Sequence, residues 1–177
     1  MALDPNLSII YNRRSIRVYA PGEIIDTTIT QLLQAAMAAP SAMTKDPWRF
    51  VIVRERRTLV ELAGILPGGK MLATASAAIV ACGDIDTAFE RQLSFMLQDC
   101  SASIQNLLLA AHQLGLGACW VGVHPMEEAI RKLKSLFKLP APVIPVAVIA
   151  LGHPGEQLPS RTRFNAEYVH QEIWGPK

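Results

Sequence analysis

Apolar residues recur at Ile29, Leu32, Leu33, Ala36 and Met37, the i, i+3, i+4, i+7, i+8 spacing of one helical face. Asp26 is placed to cap that helix at its start, and Pro40 cannot continue it. After a polar loop, Arg49-Phe50-Val51-Ile52-Val53 is rich in β-formers and reads as a short strand. Leu59, Leu62, Ala63 and Leu66 predict a second, short helix, ended by Pro67-Gly68-Gly69. Ala77–Cys82 contains no charged or amide side chain and reads as a buried strand.

The longest predicted helix runs from about Thr87 to Leu114. Leu93, Leu97, Cys100, Ile104, Leu107, Ala111 and Leu114 form a continuous apolar seam along it. Phe95, Met96, Leu108, Leu109 and Ala110 occupy another flank, so the helix is expected to be buried on more than one side, either as a central core helix or at a dimer interface. Gly115 ends it. Ala118–Val123 is another strand candidate. Pro125 opens a helix with Glu127 and Glu128 near its positive end and an apolar stripe of Met126, Ala129, Ile130, Leu133, Leu136 and Phe137. Val143–Leu151 is a continuous buried strand. The sum is about five helices and four or five strands in one layered α/β domain over residues 1–177. From Gly152 onward Pro, Gly and Arg mix with Phe164, Tyr168 and Trp174; such an arm over 152–177 has no core of its own and is expected to pack on the domain or on a partner subunit.

Half of the 177 residues are apolar, enough to bury a core of ordinary size. A net charge of +2 argues against a polyanion-binding face, and therefore against nucleic acid. Cys82, Cys100 and Cys119 are odd in number and widely spaced, which supports neither disulfides nor a cysteine-held zinc. With Asp4 near its start and no long apolar run, the N-terminus does not read as a secretory signal, and no segment reads as a membrane-spanning helix; a soluble, cytoplasmic protein is expected.

Several motifs fail on inspection. Gly64–Met71 nearly fits a phosphate loop, but Met71 replaces the metal-binding hydroxyl and the segment follows a helix rather than a strand. Gly115-Leu116-Gly117 stands after a helix and before a strand, the reverse of a dinucleotide fingerprint, and is read as a helix stop. His112, His124, His153 and His170 lack ligand spacing, and no metal is expected. Ser41 reads as a hydrogen-bonding loop serine rather than a nucleophile. With no acid–base pair or nucleophile in evidence, an enzyme built on this chain would rely on a cofactor. One feature remains: Arg13-Arg14-Ser15-Ile16-Arg17 gathers three guanidinium forks and a hydroxyl near the N-terminus, and Arg161 with Arg163 forms a second basic cluster near the C-terminus. Such forks match phosphate geometry, and two clusters in an otherwise apolar chain point to an anionic cofactor.

Those clusters, together with Ala39-Pro40-Ser41-Ala42, Pro47-Trp48-Arg49-Phe50, Gly69-Lys70-Met71-Leu72 and Gly115-Leu116-Gly117-Ala118-Cys119-Trp120-Val121-Gly122, resemble in order the nitroreductase family of FMN-dependent oxidoreductases. The resemblance spans nearly the whole chain and is to the short, single-domain members. It implies an α+β fold with a mostly antiparallel central sheet flanked by helices and a long central helix at a dimer interface. It implies FMN as cofactor and NAD(P)H as transient reductant, in a ping-pong reduction of nitroaromatic, quinone or related small-molecule acceptors. By the same resemblance, Arg13, Arg14, Ser15, Arg17, Arg161 and Arg163 share the phosphate, ribityl and pyrimidine-edge contacts, and Lys70 adds a cation at that edge. Trp120, Val121 and Gly122 run beside the isoalloxazine, where Gly122 admits close backbone approach. Pro40, Ser41 and Ala42 reach the flavin from the opposite subunit, making the homodimer's active site composite, and Thr44 stands at the position of a flavin ring contact. Thr44 and Asp46 stand where family members commonly carry Asn and Gln, which leaves open a flavin-binding or storage protein without efficient turnover; a separate alternative within the fold is a specialised dehalogenating or flavin-modifying relative.

Overall fold

The computed structural model describes residues 4–175. A five-stranded sheet is built around β5 (Val143–Pro154), which pairs antiparallel with β3 (Ala77–Asp84) and with β4 (Gly117–Gly122). β2 (Trp48–Val53) adds antiparallel to β3, and the two-residue β1 (Tyr19–Ala20) pairs with His153 and Pro154 at the far end of β5. The one parallel element among the described residues is an isolated bridge, Ser15 to Ala118.

Alternation of side chains along the strands divides the core in two. Ala77, Ile79 and Ala81 of β3 join Ile149 and Leu151 of β5 beneath α2 (Asp26–Met37) and α4 (Leu93–Gln113). Ala78, Val80 and Cys82, with Val148 and Ala150, face α3 (Arg56–Ile65) and α5 (Glu127–Leu136). A strand covered on both faces has no polar side to present, which is why β3 and β5 read as unbroken apolar runs. α4 packs against α2 as well as against the sheet.

Boundaries differ from the sequence expectation where side chains compete for backbone groups. The helix predicted from Thr87 begins at Leu93. Asp84 accounts for the delay: one of its carboxylate oxygens accepts from the Asp86 N–H and the other from the Thr87 hydroxyl, fixing a turn, and Glu90 and Arg91 then adopt positive φ. Asp26 is not the cap of α2. Ile25 holds that position, while the Asp26 carboxylate pairs with Arg54 at 2.6 Å. Pro125 precedes α5, which is entered through Met126. Gly117 is not part of the helix stop; Gly115 alone, at φ +74°, ends α4, and Gly117 opens β4. A five-residue helix α1 (Ser8–Asn12) was too short to show a period. No helix among the described residues is long and apolar enough to cross a membrane.

Candidate functional site

Two cross-strand glycines shape the edge where the N-terminal segment docks. Gly117 and Gly152 are register partners in β4 and β5. A Cβ on Gly117 would lie 2.8 Å from Ile16 Cγ2, and one on Gly152 would lie 2.6 Å from Tyr19 Cδ1. Ile16 and Tyr19 therefore occupy the space those side chains would fill. Ile16 donates its N–H to the Ala118 carbonyl at 3.0 Å, and the Tyr19 hydroxyl donates to the Ile16 carbonyl at 2.9 Å. Glu156 holds the same segment from the other terminus, its Oε1 accepting from the backbone N–H of Arg17 at 2.6 Å and of Val18 at 3.1 Å. Burial raises the Tyr19 phenol well above its ordinary value, so it stays a donor.

Arg13, Ser15 and Arg17 line a cleft of ≈ 500 Å³ together with Arg14, Arg161 and Arg163, and Ile10 and Leu158 complete its wall. The two basic clusters, from opposite ends of the sequence, thus meet on one surface. Arg14 ties them by donating to the Pro159 carbonyl, and the Arg161 N–H donates to the Tyr11 carbonyl at 3.2 Å. Among the described residues none of the five arginines is ion-paired with a carboxylate. Arg163 pushes the Arg161 guanidinium below its ordinary range, with desolvation and Arg14 and Arg13 adding to the effect. Unbalanced positive charge of this density is what an anion relieves.

Arg17 also borders a second cleft, formed by Pro67, Gly68, Cys119, Trp120, Val121, Gly122 and Met126. Gly122 is exposed, and among the described residues nothing but its chain neighbours lies within 4 Å of where its Cβ would be, so the strand backbone there is open to a flat ligand. The side chain of Val121 is buried beneath the α3/α5 layer, so only its backbone can serve the cleft. Trp120 faces the opposite layer and is half-buried. Lys70 is exposed and begins a 3-10 turn two residues beyond Gly68.

Pro40, Ser41, Ala42 and Thr44 line neither of these clefts in their own chain. Their loop leads into Trp48, which pairs with Gly83, whose partner on β5 is Ile144. The arginine segment instead bridges Ala118, whose partner is Leu151. Seven residues of β5 separate these two points, about 23 Å at ~3.3 Å per residue, while Gly122 of the second cleft pairs with Ala147, three residues from Ile144. In the loop Ser41 is a hydrogen-bonding serine: its Oγ accepts from the Asp46 N–H at 3.0 Å and donates to the Asp46 carboxylate. Asp46 thereby closes the loop on itself. Sequence reading missed Tyr19, Gly152 and Glu156. Glu156 meets Arg17 across 139 positions, a contact no local pattern announces. Among the described residues no three His, Cys, Asp or Glu side chains gather at metal-ligating distance.

The fold and this edge define a class: an α+β sandwich with an arginine-lined anion cleft running into an open strand backbone. The profile of the nitroreductase family matches residues 10–67 and 63–153. A "Putative NADH dehydrogenase/NAD(P)H nitroreductase" of Methanothermobacter thermautotrophicus is 43% identical over 168 residues, covering 95% of this chain and 87% of that protein. A solved structure of the same name from Parabacteroides distasonis superposes with a TM-score of 0.90 at 36% identity, covering 97% of this chain and 100% of that one. A "putative nitroreductase in complex with fmn" from Desulfovibrio desulfuricans gives 0.80 at 31% identity, over 98% and 100% of the two chains. The chain belongs to the nitroreductase family.

Proposed function

We propose that the protein is a homodimeric, FMN-dependent NAD(P)H oxidoreductase with a site shared between subunits. The observation that carries the reading is the meeting of unpaired arginines from both termini in a cleft that shares Arg17 with the open Trp120–Gly122 strand. These residues fit the cofactor: a phosphate supplies the missing counter-charge, and a planar ring fits against a strand with no side chain at Gly122. When bound, FMN supplies two-electron transfer from NAD(P)H to a nitroaromatic, quinone or related acceptor in two successive half-reactions at one face.

The chain's own part is binding, charge and access. Arg13, Ser15, Arg161 and Arg163 hold the phosphate through charge-assisted hydrogen bonds, with Arg14 bracing the C-terminal segment. Arg17, bordering both clefts, and Lys70, near Gly68, set positive charge at the ring edge, which favours the anionic reduced state. Trp120, Val121 and Gly122 line the ring with backbone. Pro40, Ser41, Ala42 and Thr44, which line neither cleft of their own chain, serve that of the second copy. The arm supports the same dimer: Phe164, Tyr168, Ile173 and Trp174 are 76–87% exposed in the isolated chain, an apolar surface that a second subunit would cover. Three cysteines without disulfides suit a reducing cytoplasm.

The test is the visible spectrum of the purified protein, followed by rapid mixing with NADH or NADPH. A yellow protein whose colour bleaches quickly supports the enzyme. A yellow protein that does not bleach over minutes supports a flavin-storage role, and a colourless one that refuses FMN removes the reading.

A further inference from the structure

Asp99 lies on α4 with 6% of its surface exposed. A carboxylate at that depth ordinarily carries a cation beside it, because desolvation of the charge is costly. Among the described residues Asp99 has no such ion pair. Its Oδ1 instead accepts from the backbone N–H of Ala42 at 2.9 Å, across 57 positions of sequence. Among the described residues its Oδ2 is buried without a partner, and so is the hydroxyl of Ser103 one helical turn further on. A donor without an acceptor and an acceptor without a donor therefore share one buried face of α4.

The loop that Asp99 grips is held in a costly shape. Met43, Thr44 and Asp46 all adopt positive φ, which side chains other than glycine resist. Its remaining ties are mostly internal or to adjacent chain: Ser41 with Asp46, the Thr44 N–H to the Ser41 carbonyl, the Lys45 N–H to the Ala42 carbonyl, and Arg49 to the Asp46 carbonyl. The Asp99–Ala42 bond connects the middle of the loop to the long core helix.

We propose that Asp99 is a positioning residue: its carboxylate clamps the 40–46 loop through the Ala42 N–H, in the conformation that presents Pro40, Ser41, Ala42 and Thr44 to the second subunit's flavin site. The clamp stands on the contacts above; only the delivery step rests on the shared-site reading. An apolar residue at position 99 would leave the Ala42 N–H without its acceptor. Asparagine would keep an acceptor for it and offer Ser103 a donor.

Three measurements on the FMN-loaded protein test this. In the wild type, the Ala42 amide exchanges with solvent at least about tenfold more slowly than that of Met43, for which the loop offers no such acceptor. This requires no variant and decides the clamp even if substitution prevents folding; equal exchange overturns it. In Asp99→Leu, trypsin cuts after the exposed Lys45 at least about tenfold faster than in the wild type, while Asp99→Asn stays within about twofold. Unchanged cleavage in Asp99→Leu overturns the clamp. For the electron acceptor, kcat/KM falls in Asp99→Leu and is rescued in Asp99→Asn, with a matching change and recovery of the visible flavin band. A released loop with unaltered kinetics and spectrum overturns the delivery step and the shared site with it, while leaving the clamp standing.

Discussion

Replacing Arg163 by alanine probes whether the arginine cleft holds a phosphate. Among the described residues Arg163 forms no ion pair in the flavin-free protein, and it is the main influence lowering the Arg161 guanidinium, on which Arg14 and Arg13 act in the same direction. Its removal should therefore leave the stability of the flavin-free protein within about 0.5 kcal/mol of the wild type, as for an exposed side chain with no structural partner. Bound phosphate reverses the sign of the interaction. A hydrogen bond to a charged group contributes about 1.5–3 kcal/mol, so the Kd for FMN should rise roughly 10- to 150-fold at ~1.4 kcal/mol per decade. The cleft is open to solvent, so the penalty should shrink between ~0.1 M and ~1 M salt, as the Debye length falls from about 10 Å to about 3 Å. It should also shrink below pH ~6, where a phosphate monoester loses its second charge. Arg163→Lys keeps the charge without the planar fork and should recover only part of the loss. The assay is fluorescence titration of FMN into flavin-free protein at two salt concentrations and two pH values. An unchanged Kd in Arg163→Ala, or a loss indifferent to salt, would refute the electrostatic argument.

Gly152→Ala puts a Cβ 2.6 Å from the Tyr19 ring, whose hydroxyl is tied to the Ile16 carbonyl. Overpacking of that kind should cost about 1–3 kcal/mol in urea denaturation and weaken FMN binding by displacing the arginine segment; an unchanged midpoint would contradict the docking role of the glycine pair. Burial pushes the Cys82 and Cys100 thiols from 9.0 up to about 12. Above pH ~9 the unfolded chain loses these protons while the folded one keeps them, so stability should fall between about pH 9 and 12 by up to ~1.4 kcal/mol per unit per thiol, with no such slope below pH ~8. Urea midpoints at pH 8 and 10 check the sign, and a flat profile would show that the thiols are not so buried. Sedimentation of the FMN-loaded protein should give a particle of two chains; a flavin-loaded monomer would contradict the shared site.

Most secondary structure was legible because its causes are local. The heptad-like seam of α4, the stripe of α5 and the unbroken runs of β3 and β5 each follow from which positions face the core. Errors fell where a side chain captures backbone groups, as Asp84 does ahead of α4, or where an element is as short as α1. The family's motifs marked Arg13–Arg17, Trp120–Gly122 and Arg161 with Arg163. They could not say that Val121 contributes backbone alone, because that depends on which layer covers each face of β4.

The sequence by itself determined the two cationic clusters, the apolar strands and the glycines at 117 and 122, since composition and period are properties of neighbouring residues. Only the tertiary structure decided that the clusters meet, that Tyr19 and Glu156 pin the segment between them, and that the Ser41 loop stands at the other end of the sheet. Those facts follow from the register of β5 against β3 and β4, which sums packing over the whole domain and leaves no trace in any short stretch of chain.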